Sequence, residues 1–138
     1  MSRACILTVS DTRDLNTDKS GKLIAERLQH HGVTVMARHV VIDDIVDIQQ
    51  QFLTFEQLGP DLIITNGGTG IAQRDVTITA LTPLLPTMIP GFGEAFRELS
   101  FAEIGTRALA SKAEAGFNNR NQLCYCLPGS TNACQTAL

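Results

Sequence analysis

The chain has 138 residues, 43% of them hydrophobic and 18% charged, a balance that suits one folded domain and argues against disorder. Its formal net charge of −3 argues against nucleic acid as a partner, since nucleic-acid binders present basic surface. No apolar run approaches the roughly 18 residues of a membrane span, and Met1-Ser2-Arg3 leads straight into a strand-like run with no room for a signal peptide. No membrane partner is expected, and the expected location is the cytoplasm.

Ala4–Val9 is a compact apolar run and reads as the first strand. Asp18 is placed to cap a helix from Lys19 to His31, with Ile24 and Leu28 on one face and Gly32 as its stop. Val33, Val35 and Ala37 alternate in a second strand that runs to Val41. Asp43-Asp44 opens a second helix, striped by Ile45, Ile48, Phe52 and Phe55 and ended by Gly59-Pro60. Leu62–Thr65 is the third strand. Thr77 to about Leu85 reads as a short helix interrupted by Pro83, and Pro90-Gly-Phe-Gly93 as a turn before a helix over Glu94–Leu99. A further helix is expected over Phe101–Lys112. Residues 113–117 and 122–127 flank Asn118-Asn-Arg-Asn121 as a hairpin, and Leu127-Pro-Gly-Ser130 begins a last helix. Cys5, Cys124, Cys126 and Cys134 form no CxxC pair and lie far in sequence from the histidines, so they read as buried reduced thiols and not as a zinc site.

Strand, helix, strand, helix, strand is the signature of a parallel sheet covered on both faces, and such sheets bind ligands beyond the carboxyl ends of their strands. The informative loops are therefore those that follow strands: Ser10-Asp11-Thr12-Arg13, Ile42-Asp43-Asp44, Asn66-Gly-Gly-Thr-Gly70 and Leu127-Pro-Gly-Ser130. Gly67, Gly68, Thr69 and Gly70 form either a tight turn or a cradle of backbone N–H groups for an anion. Their spacing fits neither the Walker A nor the GxGxxG pattern; Asp75 and Thr77 nearby favour the phosphate reading. Asp43 and Asp75 follow different strands on one sheet edge. With the first strand between them their backbones stand roughly 10 Å apart, twice the strand spacing. That is too far to share a proton, but it suits two groups flanking a phosphate chain and its Mg²⁺. One of Asp43 and Asp44 can cap the helix while the other faces the cleft. Arg74 can clamp phosphate or make a surface ion pair. Pro90, Gly91, Gly93 and Glu94 belong either to a connector or to a ligand-contacting loop. Pro128, Gly129, Ser130 and Asn132 place small polar groups at a helix N-terminus, an anion site. For that loop to share the edge, its strand must run parallel to the first three and strand 113–117 antiparallel.

In order along the chain, ILTVSDTR, DKSG, GGTGIAQRDVT, IPGFGEAFRELSFAEIGT and LPGSTNAC resemble the motifs of the molybdenum cofactor biosynthesis family. That family includes molybdopterin adenylyltransferases, the gephyrin G domain and the B-type cofactor biosynthesis proteins. The resemblance covers essentially the whole chain, and FRELSFAEIGT and PGSTNAC look more like the B-type branch. It implies a single molybdopterin-binding domain over residues 1–138, an α/β protein of three α/β/α layers whose mostly parallel five-stranded sheet contains one antiparallel strand. It also implies a homotrimer or hexamer, and other cofactor biosynthesis proteins as possible partners. The implied activity is AMP transfer from Mg-ATP to the terminal phosphate of molybdopterin with release of pyrophosphate; Asp43 and Asp75 match the functional, Mg²⁺-holding aspartates. Ser10, Asp11, Gly67, Gly68, Thr69, Gly70, Arg74, Thr77, Pro90, Gly91, Gly93, Glu94, Pro128, Gly129, Ser130 and Asn132 are the candidate substrate contacts. The alternatives are a non-catalytic pterin-binding or scaffolding protein and a nucleotide-processing domain of related fold. Asn66, Ile71 and Ile78 stand where the family more often carries Thr, Pro and Pro, departures that bear on loop stiffness. The chain stops at Leu138, barely two turns into its last helix, where relatives continue.

Overall fold

The computed structural model describes residues 2–73, 75–104 and 112–129. Strand β1 (Arg3–Val9) lies between β2 (Thr34–Val41) and β3 (Leu62–Asn66), parallel to both. Strand β3 pairs in parallel with β6 (Leu123–Leu127). Strand β5 (Glu114–Phe117) runs against β6 on one side and against a two-residue strand, β4 (Thr87–Met88), on the other. The sheet order is β2-β1-β3-β6-β5-β4. The mostly parallel sheet with a single reversed strand is as expected, with one strand more, because two residues are too few to leave a periodicity in a sequence. The hairpin turn is built by Asn118, whose Oδ1 accepts from the Arg120 and Gln122 N–H groups at 3.0 and 2.9 Å.

Helices cover both faces. Residues α1 (Lys19–His30) and α4 (Pro90–Ile104) take one side, where Ala4, Ile6 and Ile64 meet Ile24 and Leu28 with Phe92 against them. On the other side Cys5, Leu7, Val9 and Ile63 meet Ile48, Phe52 and Phe55 of α2 (Ile45–Leu58) and Ala80 and Leu81 of α3 (Thr77–Leu81). Alternate residues of β1 thus feed two cores, so its Ala4–Leu7 run is apolar without a break. Asp44 caps α2, its carboxylate accepting from the Asp47 N–H at 3.0 Å, and Gly59 ends it with φ of 75°. Ile45, expected in the buried stripe, is 37% exposed at the helix start. A 3₁₀ turn over Thr82–Leu84, holding Pro83, follows α3.

The segment Pro90-Gly-Phe-Gly93 corrects an expectation. It is not a turn but the first turn of α4, which continues through the expected break at Ser100 to Ile104. Proline is favoured at the first helical position, where its missing N–H has no partner to lose. Gly93 answers a close approach: a Cβ there would stand 2.8 Å from the Ala113 carbonyl oxygen. Residues 105–111 of the next expected helix, and the helix after Ser130, lie outside the described residues; Lys112 is not helical.

Cys5, Cys124 and Cys126 are free, buried thiols, as expected; Cys134 lies outside the described residues. Burial pushes Cys5 and Cys126 up to about 11 and Cys124 higher still. The folded thiols keep their protons where unfolded ones, near 9.0, release them. Their contribution to stability is therefore complete below that pH and is lost as pH rises through the folded values. The urea midpoint is expected to fall between about pH 9 and 11, less steeply in a Cys5→Ala, Cys126→Ala variant. Identical slopes for variant and wild type would contradict this origin.

Candidate functional site

At the carboxyl ends of the parallel strands lies a cavity of about 300 Å³. Its lining comes from Val9–Arg13 after β1, Asp43 after β2, Gly67, Gly68 and Asp75 after β3, and Gly129 after β6. Among the sequence-derived candidates, Ser10, Asp11, Asp43, Gly67, Gly68, Asp75 and Gly129 are thereby brought to one place. An adjoining cavity of about 460 Å³ shares Ser10, Asp11 and Arg13 and extends along His39–Ile42.

The glycine loop has consecutive left-handed residues, with φ of 99° at Gly67 and 70° at Gly68. Its closeness to its surroundings is as restrictive as its dihedrals. A Cβ on Gly67 would collide with the Val9 carbonyl oxygen, and one on Gly68 with the Thr77 hydroxyl. Thr77 is buried beneath the loop: its Oγ1 donates to the Gly67 carbonyl at 2.9 Å and its N–H to the Gly68 carbonyl at 3.1 Å. The Gly67 N–H is committed to the Leu127 carbonyl at 2.8 Å, which leaves the 68–70 stretch as the part of the loop whose N–H groups donate to no described residue. Thr69 is buried and accepts from the Lys112 N–H at 2.7 Å. Gly129 touches the same loop, since a Cβ on it would lie 3.3 Å from Gly67 Cα; Pro128 immediately precedes it.

The aspartates meet this loop from two directions. A Cβ on Gly68 would stand 3.4 Å from Asp43 Oδ1, and one on Gly70 would stand 2.8 Å from Asp75 Oδ2. Strand β1 does lie between the strands they follow. The division of labour at Asp43-Asp44 is also resolved: Asp44 caps α2 and Asp43 lines the cavity. The Asp43 N–H donates to Asp11 Oδ1 at 2.9 Å, tying the loops after β1 and β2 together. Asp75 Oδ2 accepts from the Ala72 N–H at 3.0 Å, which folds the segment after the glycines back on itself.

Under the cavity runs a buried polar chain that sequence reasoning missed. Asp18 not only caps α1 but also accepts from Thr8 Oγ1 at 2.5 Å and pairs with Arg38 at 3.3 Å. Asn66 donates to Thr8 Oγ1 at 3.0 Å and accepts from Ser20 Oγ at 2.7 Å. Asn66 is thus a structural cross-brace, more than a matter of loop stiffness, while Ile71 is 76% exposed. The signal available in sequence was DKSG, whose Gly21 is required because a Cβ there would stand 2.7 Å from Thr8 Oγ1.

The family model described as "Probable molybdopterin binding domain" matches residues 5–138. The chain belongs to the molybdenum cofactor biosynthesis family. Molybdenum cofactor biosynthesis protein B of Staphylococcus aureus (strain COL) is 52% identical over 139 residues, spanning 99% of this chain and 82% of that protein. A crystal structure of a molybdenum cofactor biosynthesis protein B superposes with a TM-score of 0.93 at 44% identity, covering 99% of this chain and 85% of the other. The tungsten cofactor synthesizing protein MoaB from Pyrococcus furiosus superposes at 0.91 with 33% identity, covering 99% and 88%.

In this member of the molybdenum cofactor biosynthesis family, the remaining candidates fall elsewhere. Pro90 and Glu94 line a separate cavity of about 360 Å³ with Arg97 and Glu114; Gly91 and Gly93 lie in the first turn of α4. Arg74, Ser130 and Asn132 lie outside the described residues. The strand-end cavity suits Mg²⁺ in its donor chemistry. Its carboxylates are hard oxygen ligands, and among the described residues no three acidic, histidine or cysteine groups converge to hold an ion unaided. Magnesium is commonly held by one or two carboxylates together with substrate phosphates.

Proposed function

We propose that the chain adenylylates molybdopterin, transferring AMP from Mg-ATP to its terminal phosphate and releasing pyrophosphate. The observation that carries this reading is the approach of Asp43 and Asp75 to one glycine loop in one strand-end cavity. A phosphate monoester has a second pKa of about 6 and is largely ionised at neutral pH, so the nucleophile needs little help from a base. Its oxygen forms a bond to the α-phosphorus of ATP as the bond to the β-phosphate breaks. Catalysis is then a matter of in-line alignment and of relieving repulsion between anions. Asp43 and Asp75 would hold the Mg²⁺, whose charge offsets that of the phosphates and of the leaving pyrophosphate. The N–H groups of residues 68–70 would bind phosphate oxygens, and the loops carrying Ser10 and Gly129 would bound the substrates on either side.

The test is AMP transfer by the purified protein, with product expected only when Mg²⁺, ATP and molybdopterin are all present. Molybdopterin binding without turnover would favour a scaffolding protein instead, and ATP consumption without pterin a nucleotide-processing domain. The proposal includes a cytoplasmic setting, and no helix among the described residues is long and apolar enough to cross a membrane. It also includes assembly into homotrimers or hexamers, with other cofactor biosynthesis proteins as partners. Light scattering at micromolar concentration is expected to report three or six copies; a monomer would contradict the assembly.

A further inference from the structure

Arg13 is the one basic side chain among the described residues that line the strand-end cavity, which also holds the carboxylates of Asp11, Asp43 and Asp75. Its Nη1 donates to Ser20 Oγ at 2.9 Å and to the Gly129 carbonyl at 3.2 Å. Both hydrogens of that nitrogen are thereby engaged, while Nε and Nη2 donate to no described residue. Those two nitrogens form one edge of the planar guanidinium, the edge that matches two oxygens of a phosphate. Ser20 is itself anchored from below through Asn66, Thr8 and Asp18. Such a chain of buried polar groups is stable only when each member is bonded, and it then holds a single geometry.

We propose that Arg13 binds a phosphate group of the substrates, its free edge held toward the cavity by Ser20 and the Gly129 carbonyl. The inference rests on the pterin–nucleotide reading of the same cavity. Three carboxylates repel a polyanion, and a fixed guanidinium in the same cavity offsets part of that repulsion. Lysine could not replace it, because one ammonium cannot keep both structural contacts and still present two parallel donors. The phosphate belongs either to the nucleotide or to the pterin, sources that share this chemistry.

Calorimetric titrations of the full chain with Mg-ATP, molybdopterin and adenosine, beside thermal melts, test the assignment. Arg13→Gln is expected to weaken one phosphate ligand by about tenfold or more, the scale of a lost charge-assisted pair, with adenosine binding unchanged. The ligand that loses affinity identifies the source. Arg13→Lys should restore only part of the loss, and Ser20→Ala should weaken the same ligand to a smaller degree. Wild-type affinity of Arg13→Gln for both phosphate ligands would overturn the proposal. So would an equal loss for adenosine together with a lower melting temperature, which would make Arg13 only a brace for Gly129. Wild-type protein that binds these ligands yet transfers no AMP would sink the adenylylation reading and leave Arg13 standing.

Discussion

Asp75→Asn is expected to keep the fold and pterin binding and to lose AMP transfer by about a hundredfold or more, the scale on which one preorganised electrostatic contact acts. The substitution isolates charge from shape. Asp75 Oδ2 accepts the Ala72 N–H at 3.0 Å, and the amide oxygen of asparagine can accept the same bond, so the turn beyond the glycine loop stays closed. What disappears is the negative charge beside Gly70, and with it the ligand for Mg²⁺ that the proposed reaction assigns to Asp75. Turnover by the purified variant at saturating Mg-ATP and molybdopterin, with a melting curve alongside, measures the effect. Wild-type turnover would remove Asp75 from the proposed metal site.

Gly68→Val should disrupt the glycine loop, and it acts twice. The residue sits at φ of 70°, where a branched side chain costs on the order of 1–3 kcal/mol. The new Cβ also collides with the Thr77 hydroxyl that secures the Gly67 carbonyl. A lowered melting temperature and weakened ATP and molybdopterin binding are expected together. Gly70→Ala separates the two effects, because its φ is not left-handed and its Cβ meets the movable Asp75 carboxylate at 2.8 Å. That variant should melt near wild type and lose transfer. An undiminished transfer rate in Gly70→Ala would mean that the position of Asp75 does not matter to the reaction.

Much of this arrangement was legible in the sequence because it rests on short-range rules. Asp18 and Asp44 precede helices at capping positions, Gly59 stops one, and the stripe through Ile48, Phe52 and Phe55 marks a buried face. The loops after the strands had to share one edge once the strands were parallel. What stayed hidden depends on contacts distant in sequence. The glycines of Pro90-Gly-Phe-Gly93 look like breakers until Ala113 is seen against Gly93. Asn66 and Ser20 are unremarkable polar residues until the fold stacks them beneath the cavity, against the Arg13 that lines it. Thr77, a candidate contact by position, is buried and holds the loop from behind.

The irregularity in the pairing of β1 with β2 bears on how copies of the chain can meet. Ala4 pairs with Val35 but Cys5 with Ala37, so Met36 is an extra residue in an eight-residue strand at the rim of the sheet. A bulge there increases the local twist and spoils the flat row of donors and acceptors that an incoming strand would need. Two residues are all that β4 offers at the opposite rim. Neither rim is a good template for intermolecular strand addition, so the protein is guarded against ribbon-like aggregation at high concentration. The assembly proposed above would then have to use the helical and loop surfaces, where the number of copies can be limited by shape.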